Sequence, residues 1–126
     1  LRPKTKKHYP GLWDISACGG VISGEGRNEA ANRETTEETG RKVELHYVES
    51  FLNMFPGDNG EQRKRLSHLY VGISDEQPVT SAEVAEFKSW EPTTLREDAV
   101  ARTDAYVPSF VVELDKAIVG HQNLLQ

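Results

Sequence analysis

Two runs of β-forming residues flank one tight turn, and this arrangement limits the folds open to the chain more than any other feature. Val43 to Phe55 carries Val43, Leu45, Tyr47, Val48, Phe51, Leu52 and Phe55, while Leu66 to Ile73 alternates apolar with polar side chains. Between them lies Pro56-Gly57-Asp58-Asn59-Gly60, a cluster of residues that favours chain reversal. The two runs should therefore pair antiparallel as a long hairpin.

The remaining segments predict what surrounds that hairpin. Leu12 to Ser16 and Phe87 to Glu91 read as short strands, the second ending at Pro92. Asn28 to Thr39 reads as the first helix, with Arg27 or Asn28 at its start, Gly40 as its stop, and Ala30, Ala31 and Thr35 as the small residues it can press onto a sheet. Thr93 to Ala101 reads as a brief helix capped by Thr93 or Thr94. A last helix, Pro108 to Val119, has Phe110, Val111, Leu114 and Ile118 on one face. Strands and helices in this order predict an α/β (or α+β) sandwich with helices on both sides of a mixed central sheet. With 126 residues, 37% apolar and 28% charged, the chain is expected to form one domain, residues 1–126, with a core of its own.

The first helix is chemically odd. Glu25, Glu29, Glu34, Glu37 and Glu38 crowd into Gly24 to Gly40, set against only Arg27 and Arg33, and so supply most of the net charge of −5. Glu34 shares a face with Glu37 and Glu38, and each such like-charge pair costs about 0.2–0.5 kcal/mol in an isolated helix. No lysine occurs between Lys7 and Lys42, although a helix needing only solubility would interleave them. Concentrated acid suggests a cation site, and the acidic balance argues against a nucleic-acid polymer as the main partner.

Counted from Gly19, the segment reads Gly19, five residues, Glu25, seven residues, then Arg33-Glu34-Thr35-Thr36-Glu37-Glu38-Thr39-Gly40. This resembles the signature of the Nudix hydrolases at all seven strictly typed positions: Gly19, Glu25, Arg33, Glu34, Glu37, Glu38 and Gly40. Thr35 and Arg41 depart from it, standing where aliphatic or apolar residues are usual. Tyr9-Pro10-Gly11-Leu12-Trp13-Asp14 and Glu83 to Trp90 also look like segments of that family, so the likeness covers nearly the whole chain. It implies an α/β/α Nudix sandwich and a metal-dependent pyrophosphohydrolase acting on a nucleoside diphosphate linked to another group. The cofactor would be Mg2+, with Mn2+ as the substitute, because hard cations take carboxylate oxygens and water. By resemblance Glu37 and Glu38 are the principal ligands, Glu34 a ligand or the group that activates water, and Arg33 the residue orienting a glutamate. Glu25 reaches the same cluster from the loop, and the Cys18 carbonyl adds a ligand. The glycines at 19, 20 and 24 suit a loop whose backbone approaches metal and phosphate.

Glu83 and Glu86 stand where relatives place an extra acid that binds metal or acts as base, and that role is evenly balanced against plain loop polarity. Trp13 and Trp90 are expected in the core. His8, His46, His68 and His121 show no ligand spacing, and Arg63-Lys64-Arg65 reads as a solvated strand end. A rival reading rests on Pro10-Gly11-Leu12-Trp13 and Ser16-Ala17-Cys18-Gly19, which resemble isopentenyl diphosphate isomerase, a Nudix relative with a catalytic cysteine at this place. Gly20 stands where that enzyme has histidine, and Arg65 to Tyr70 lacks its partner glutamate, so the hydrolase reading leads. A non-catalytic nucleotide-binding module ranks last, because no motif glutamate is lost.

One cysteine excludes an internal disulfide and makes a reducing cytoplasm the default compartment. No apolar run suggests a membrane span. The chain opens on Leu1, and the strand that precedes the Pro-Gly-Leu-Trp segment in relatives is missing, which suggests a trimmed start. The expected partner is a small diphosphate, a nucleotide derivative, with a homodimer as the common assembly of the family.

Overall fold

The computed structural model describes residues 1–57 and 59–125; Asp58, in the predicted turn, and Gln126 lie outside them. Its elements run α1 (Arg27–Thr39), β1 (Glu44–Pro56), β2 (Gln62–Ile73), α2 (Pro92–Ala101), a 3-10 turn (Thr103–Ala105) and α3 (Phe110–Leu124).

The hairpin forms as expected, antiparallel from Glu44 opposite Ile73 to Pro56 opposite Gln62. β2 starts earlier than its apolar pattern suggests, because backbone pairing carries Arg63, Lys64 and Arg65 into the ladder whatever their side chains. A bulge interrupts the register: Tyr47 faces Tyr70, yet Glu49 faces Leu69, leaving Val48 as the extra residue.

Helices approach both faces of this sheet. On one side the Arg27 guanidinium lies 3.8 Å from the centre of the Tyr47 ring, and the Tyr70 hydroxyl donates to Asn28 Oδ1. On the other, α3 docks closely: Asn53 Nδ2 donates to Glu113 Oε1 at 2.9 Å, and Lys116 Nζ stands 2.5 Å from Glu49. Gly120 is required at this crossing, since a Cβ there would lie 2.6 Å from Val48 Cγ2. The core forms where α2, the 3-10 turn and the start of α3 meet, from Ala99, Tyr106, Val107 and Phe110. Leu12, Trp13 and Ile15 pack over it, as expected for Trp13. Trp90 is half-buried, with Lys88 Nζ 4.1 Å from its ring centre.

The architecture is α/β, with the parallel part of the expected mixed sheet reduced to one bridge, Trp13 to Tyr106. That bridge is held by Trp13 N–H to Ala105 O and Val107 N–H to Trp13 O, both 2.9 Å. The predicted strand Leu12–Ser16 survives only there. Phe87–Glu91 forms no ladder, because its neighbours are otherwise engaged: Ala85 N–H and Glu86 O bond Leu1, and Glu91 caps α2. Glu91, not Thr93 or Thr94, is that cap; its carboxylate accepts from the Thr94 N–H at 2.9 Å, and Pro92 fills the first helical position. α3 begins two residues after Pro108 and runs five beyond Val119, because the polar Gly120 to Asn123 segment carries no stop signal. Among the described residues, no helix is long and apolar enough to cross a membrane.

Candidate active site

The acid-rich helix begins at Gly26 without a side-chain cap and ends at Gly40, whose φ of 71° and N–H to Thr36 O bond close the last turn. Thr35 turns its hydroxyl to Ala31 O at 2.7 Å, so it meets its polar demand within the helix while Ala30 takes the buried position. The loop from Ser16 to Glu25 folds back along the helix.

Arg33 organises this junction. Its guanidinium donates to both Glu25 oxygens, at 2.8 and 3.1 Å, to Glu34 Oε1 at 2.8 Å, to Glu37 Oε2 at 3.3 Å and to the Gly20 carbonyl at 2.9 Å. Such bidentate, charge-assisted bonds are directional as well as strong. Glu25 also accepts from the Ile22 N–H, which pins the loop's turn, and the Arg33 fork holds its carboxyl below the usual carboxylate range.

Glu38 faces the other way. It accepts from the Cys18 N–H at 2.5 Å, and burial pushes its carboxyl up to about 7, with the charges of Glu34, Asp14 and Glu83 adding to that rise. Gly19 touches the same spot, for a Cβ there would sit 2.0 Å from the Glu34 carboxyl carbon. Only glycine lets the backbone come this close. Glu83 is exposed and paired with Lys6, while its charge reaches Glu38; Glu86 is exposed and meets Leu1 only through its backbone. The structure thus brings Glu25, Glu34 and Glu37 to Arg33, and Glu38 to the Cys18–Gly19 loop.

Among the described residues, no three acidic, histidine or cysteine side chains converge at ligand geometry. The reason is local: Arg33 draws three carboxylates to itself and the Cys18 N–H takes the fourth. The donor set still fits a hard divalent cation. It consists of carboxylate oxygens beside a loop backbone, where the charges of Glu34, Asp14 and Glu83 add to the burial that raises Glu38.

Two acids at the cavity wall, Asp14 half-buried and Glu113 buried, escaped the sequence reading. Asp14 is pushed up by burial, against the Ile15 N–H and Arg2, whose Nη1 lies 3.4 Å away. Glu113 is 4% exposed and is likewise pushed up, by burial and then by Asp14. Its placement had a signal: it stands three residues after Phe110, on the apolar face of the helix. Cys18 lies among these groups, and burial, reinforced by Asp14, drives its thiol up to about 12. Arg65 is not a fully solvated strand end, since it approaches Glu113 at 3.9 Å and lies over Phe55 at 5.2 Å. All of them border one cavity of about 1020 Å³ that opens from the Cys18–Gly19 loop between α1 and α3.

A loop, an acid-rich helix and an arginine clasp, set on an α/β scaffold, define this as a Nudix-type site. The NUDIX domain profile matches residues 1–110, and the chain belongs to that family. It is 34% identical over 88 residues to an isopentenyl-diphosphate Delta-isomerase of Photorhabdus laumondii, which covers 69% of this chain and 50% of the relative. It is 30% identical over 97 residues to an uncharacterised Nudix hydrolase of Listeria monocytogenes, covering 70% of this chain and 57% of that one. The chain thus spans about half the length of the curated relatives it matches. A crystal structure of a Deinococcus radiodurans protein superposes with a TM-score of 0.75, covering 92% of this chain and 70% of that chain at 22% identity, which shows the shared fold.

Proposed function

We propose that this chain is a divalent-metal-dependent hydrolase that cleaves a diphosphate linkage in a nucleoside diphosphate joined to another group. The observation that carries the reading is the Arg33 clasp on Glu25, Glu34 and Glu37 beside a Glu38 whose acidity is already weakened. Glu34, Glu37, Glu38 and Glu25, with the Cys18 carbonyl, would hold the cation, Mg2+ or Mn2+. Bound there, it would offset charge on the bridging phosphates and acidify a bound water. Arg33 keeps Glu25 and Glu34 in place and, as their partner, limits the directions they can point. Glu34 or Glu37 accepts the proton of the attacking water, and Glu83, reached through its salt bridge to Lys6, is the alternative base. Replacing Glu37 and Glu38 by glutamine tests the proposal: Mg2+-dependent release of a phosphate ester from a panel of nucleoside diphosphate derivatives should vanish, and its persistence overturns the reading.

A second reading, an isomerase acting on isopentenyl diphosphate, draws support from the names of several relatives and from Cys18 at the cavity wall. Against it stand Gly20 in place of a histidine and a thiol that burial drives up to about 12, far from the range in which it would trade protons readily. Incubating the protein with isopentenyl diphosphate, with Cys18→Ala as control, decides between them.

A further inference from the structure

The cavity has an inner end that the proposed hydrolysis leaves unused. Glu113 lines it from α3, 4% exposed, and its Oε1 accepts from Asn53 Nδ2 at 2.9 Å. Its Oε2 is buried with no hydrogen-bond partner of normal geometry among the described residues, although the Ser109 hydroxyl one turn back eases its charge. The Ser67 hydroxyl, on the same cavity wall, is also buried without a partner. Leaving a buried carboxylate oxygen and a buried hydroxyl without partners is unfavourable, so two orphans on the wall of one cavity mark a place built for something to fill it.

We propose that Glu113 and Ser67, with Asn53 holding Glu113 from behind, form a specificity subsite that receives the N–H donor edge of an amino-bearing heterocycle. The inference rests on the hydrolase reading and names the group that its substrate carries at the far end. The chemistry follows from what the wall offers. Glu113 Oε2 can only accept or, if protonated, present a single hydrogen. Asn53 Nδ2 spends one of its two hydrogens on Oε1 and so fixes which way the carboxylate turns. Ser67 can do either. Asp14 adds a negative field from the side of Cys18, which Arg65 offsets in part, its Nη2 lying 3.9 Å from Glu113 Oε1 with hydrogens free to meet a ring acceptor beside the amino group. The diphosphate of the same ligand would then lie toward the Cys18–Gly19 loop, where the acid-rich helix borders the cavity. An exocyclic amino group satisfies Oε2; a carbonyl at the same place would leave it unpaired.

The test is a binding measurement without metal and without turnover, following the fluorescence of Trp13 and Trp90 as free cytidine or free uridine is titrated into the intact chain. Cytidine should bind about tenfold more tightly than uridine, the scale expected when a buried acceptor is either met or orphaned. Glu113→Gln should reverse that order. Asn53 Nδ2 demands an acceptor at the Oε1 position, so the new amide nitrogen falls where Oε2 was and donates to the uridine carbonyl. Ser67→Ala, a milder change, should weaken cytidine severalfold and leave uridine unaffected. Equal affinities in the unaltered chain, binding of neither nucleoside, or a parallel loss of both in Glu113→Gln overturns the proposal. Failure of hydrolysis would leave these ratios intact, so the two readings fall separately.

Discussion

Arg33 clasps Glu25 with two hydrogen bonds, Nε to Oε2 at 2.8 Å and Nη2 to Oε1 at 3.1 Å, across eight residues that include the whole turn into α1. The loop and helix are therefore fastened by a planar fork rather than by apolar packing. Lysine cannot reproduce a fork. Arg33→Lys should weaken Mn2+ binding by about 10–100-fold, the range for residues that position ligands. Calorimetric titration with Mn2+ checks it, and an unchanged affinity would remove Arg33 from the site.

Glu38 links pH to stability. Its carboxyl moves from an ordinary 4.5 to about 7 in the folded chain, so the folded state keeps its proton longer than the unfolded one. In metal-free protein this group's contribution is fully present below about pH 4.5 and is lost as pH rises through about 7. Added Mg2+ needs the ionised form and reverses the trend, since ligand binding stabilises by mass action. Melting curves with and without Mg2+ should show a larger metal-induced rise at pH 8 than at pH 6; equal rises would contradict the assignment of Glu38.

Gly19 is expected to tolerate no side chain. The Cβ of Gly19→Ala would fall on the Glu34 carboxylate, 2.0 Å from its carbon, so that group must swing away. Turnover should drop about tenfold or more, because a displacement on the ångström scale is enough. The melting temperature should change little, as Gly19 is exposed. A variant with full activity would show that Glu34 is free to move without consequence.

Cys18 should be inert. With its thiol driven up to about 12, roughly one molecule in ten thousand carries the thiolate at pH 8. Iodoacetamide labelling should be slow until the chain is unfolded in urea, and Cys18→Ser should retain hydrolysis. Rapid labelling of the folded protein would instead favour a catalytic thiol.

Phe110 should be the costliest side chain to remove. It is 5% exposed and stacks on Tyr106 with ring centres 4.7 Å apart. Phe110→Ala should destabilise by about 3–5 kcal/mol in urea unfolding. A loss below about 1 kcal/mol would mean that the site collapses without penalty.

The parts legible in the sequence were those with a local cause. The hairpin follows from two β-rich runs and a turn, and α1 from its spacing and its terminal glycine. The acid cluster was legible because its residues are neighbours along one helix. Asp14 and Glu113 were not, since 99 positions separate them and only the packing of α3 on the hairpin brings them to one cavity. The short strands were overread for a similar reason: Leu12–Ser16 has the composition of a strand, but a ladder needs a partner, and Trp13 finds only Tyr106. The cap of α2 was misplaced because a glutamate just before Pro92 does work that threonine more often does.

The extra residue at Val48 has a consequence for how this chain can change. A strand alternates its side chains between two faces, so the bulge reverses the parity of everything after it. Tyr47 meets α1, yet Glu49, Phe51 and Asn53 all turn toward α3. Deleting Val48 would close the bulge into a regular ladder, with Glu49 directly after Tyr47 and still opposite Leu69, so Glu49, Phe51 and Asn53 would keep the face toward α3. A deletion elsewhere in β1 has no bulge to absorb it and would switch the face of the residues beyond it, so Val48 is where this strand can lose a residue without turning over.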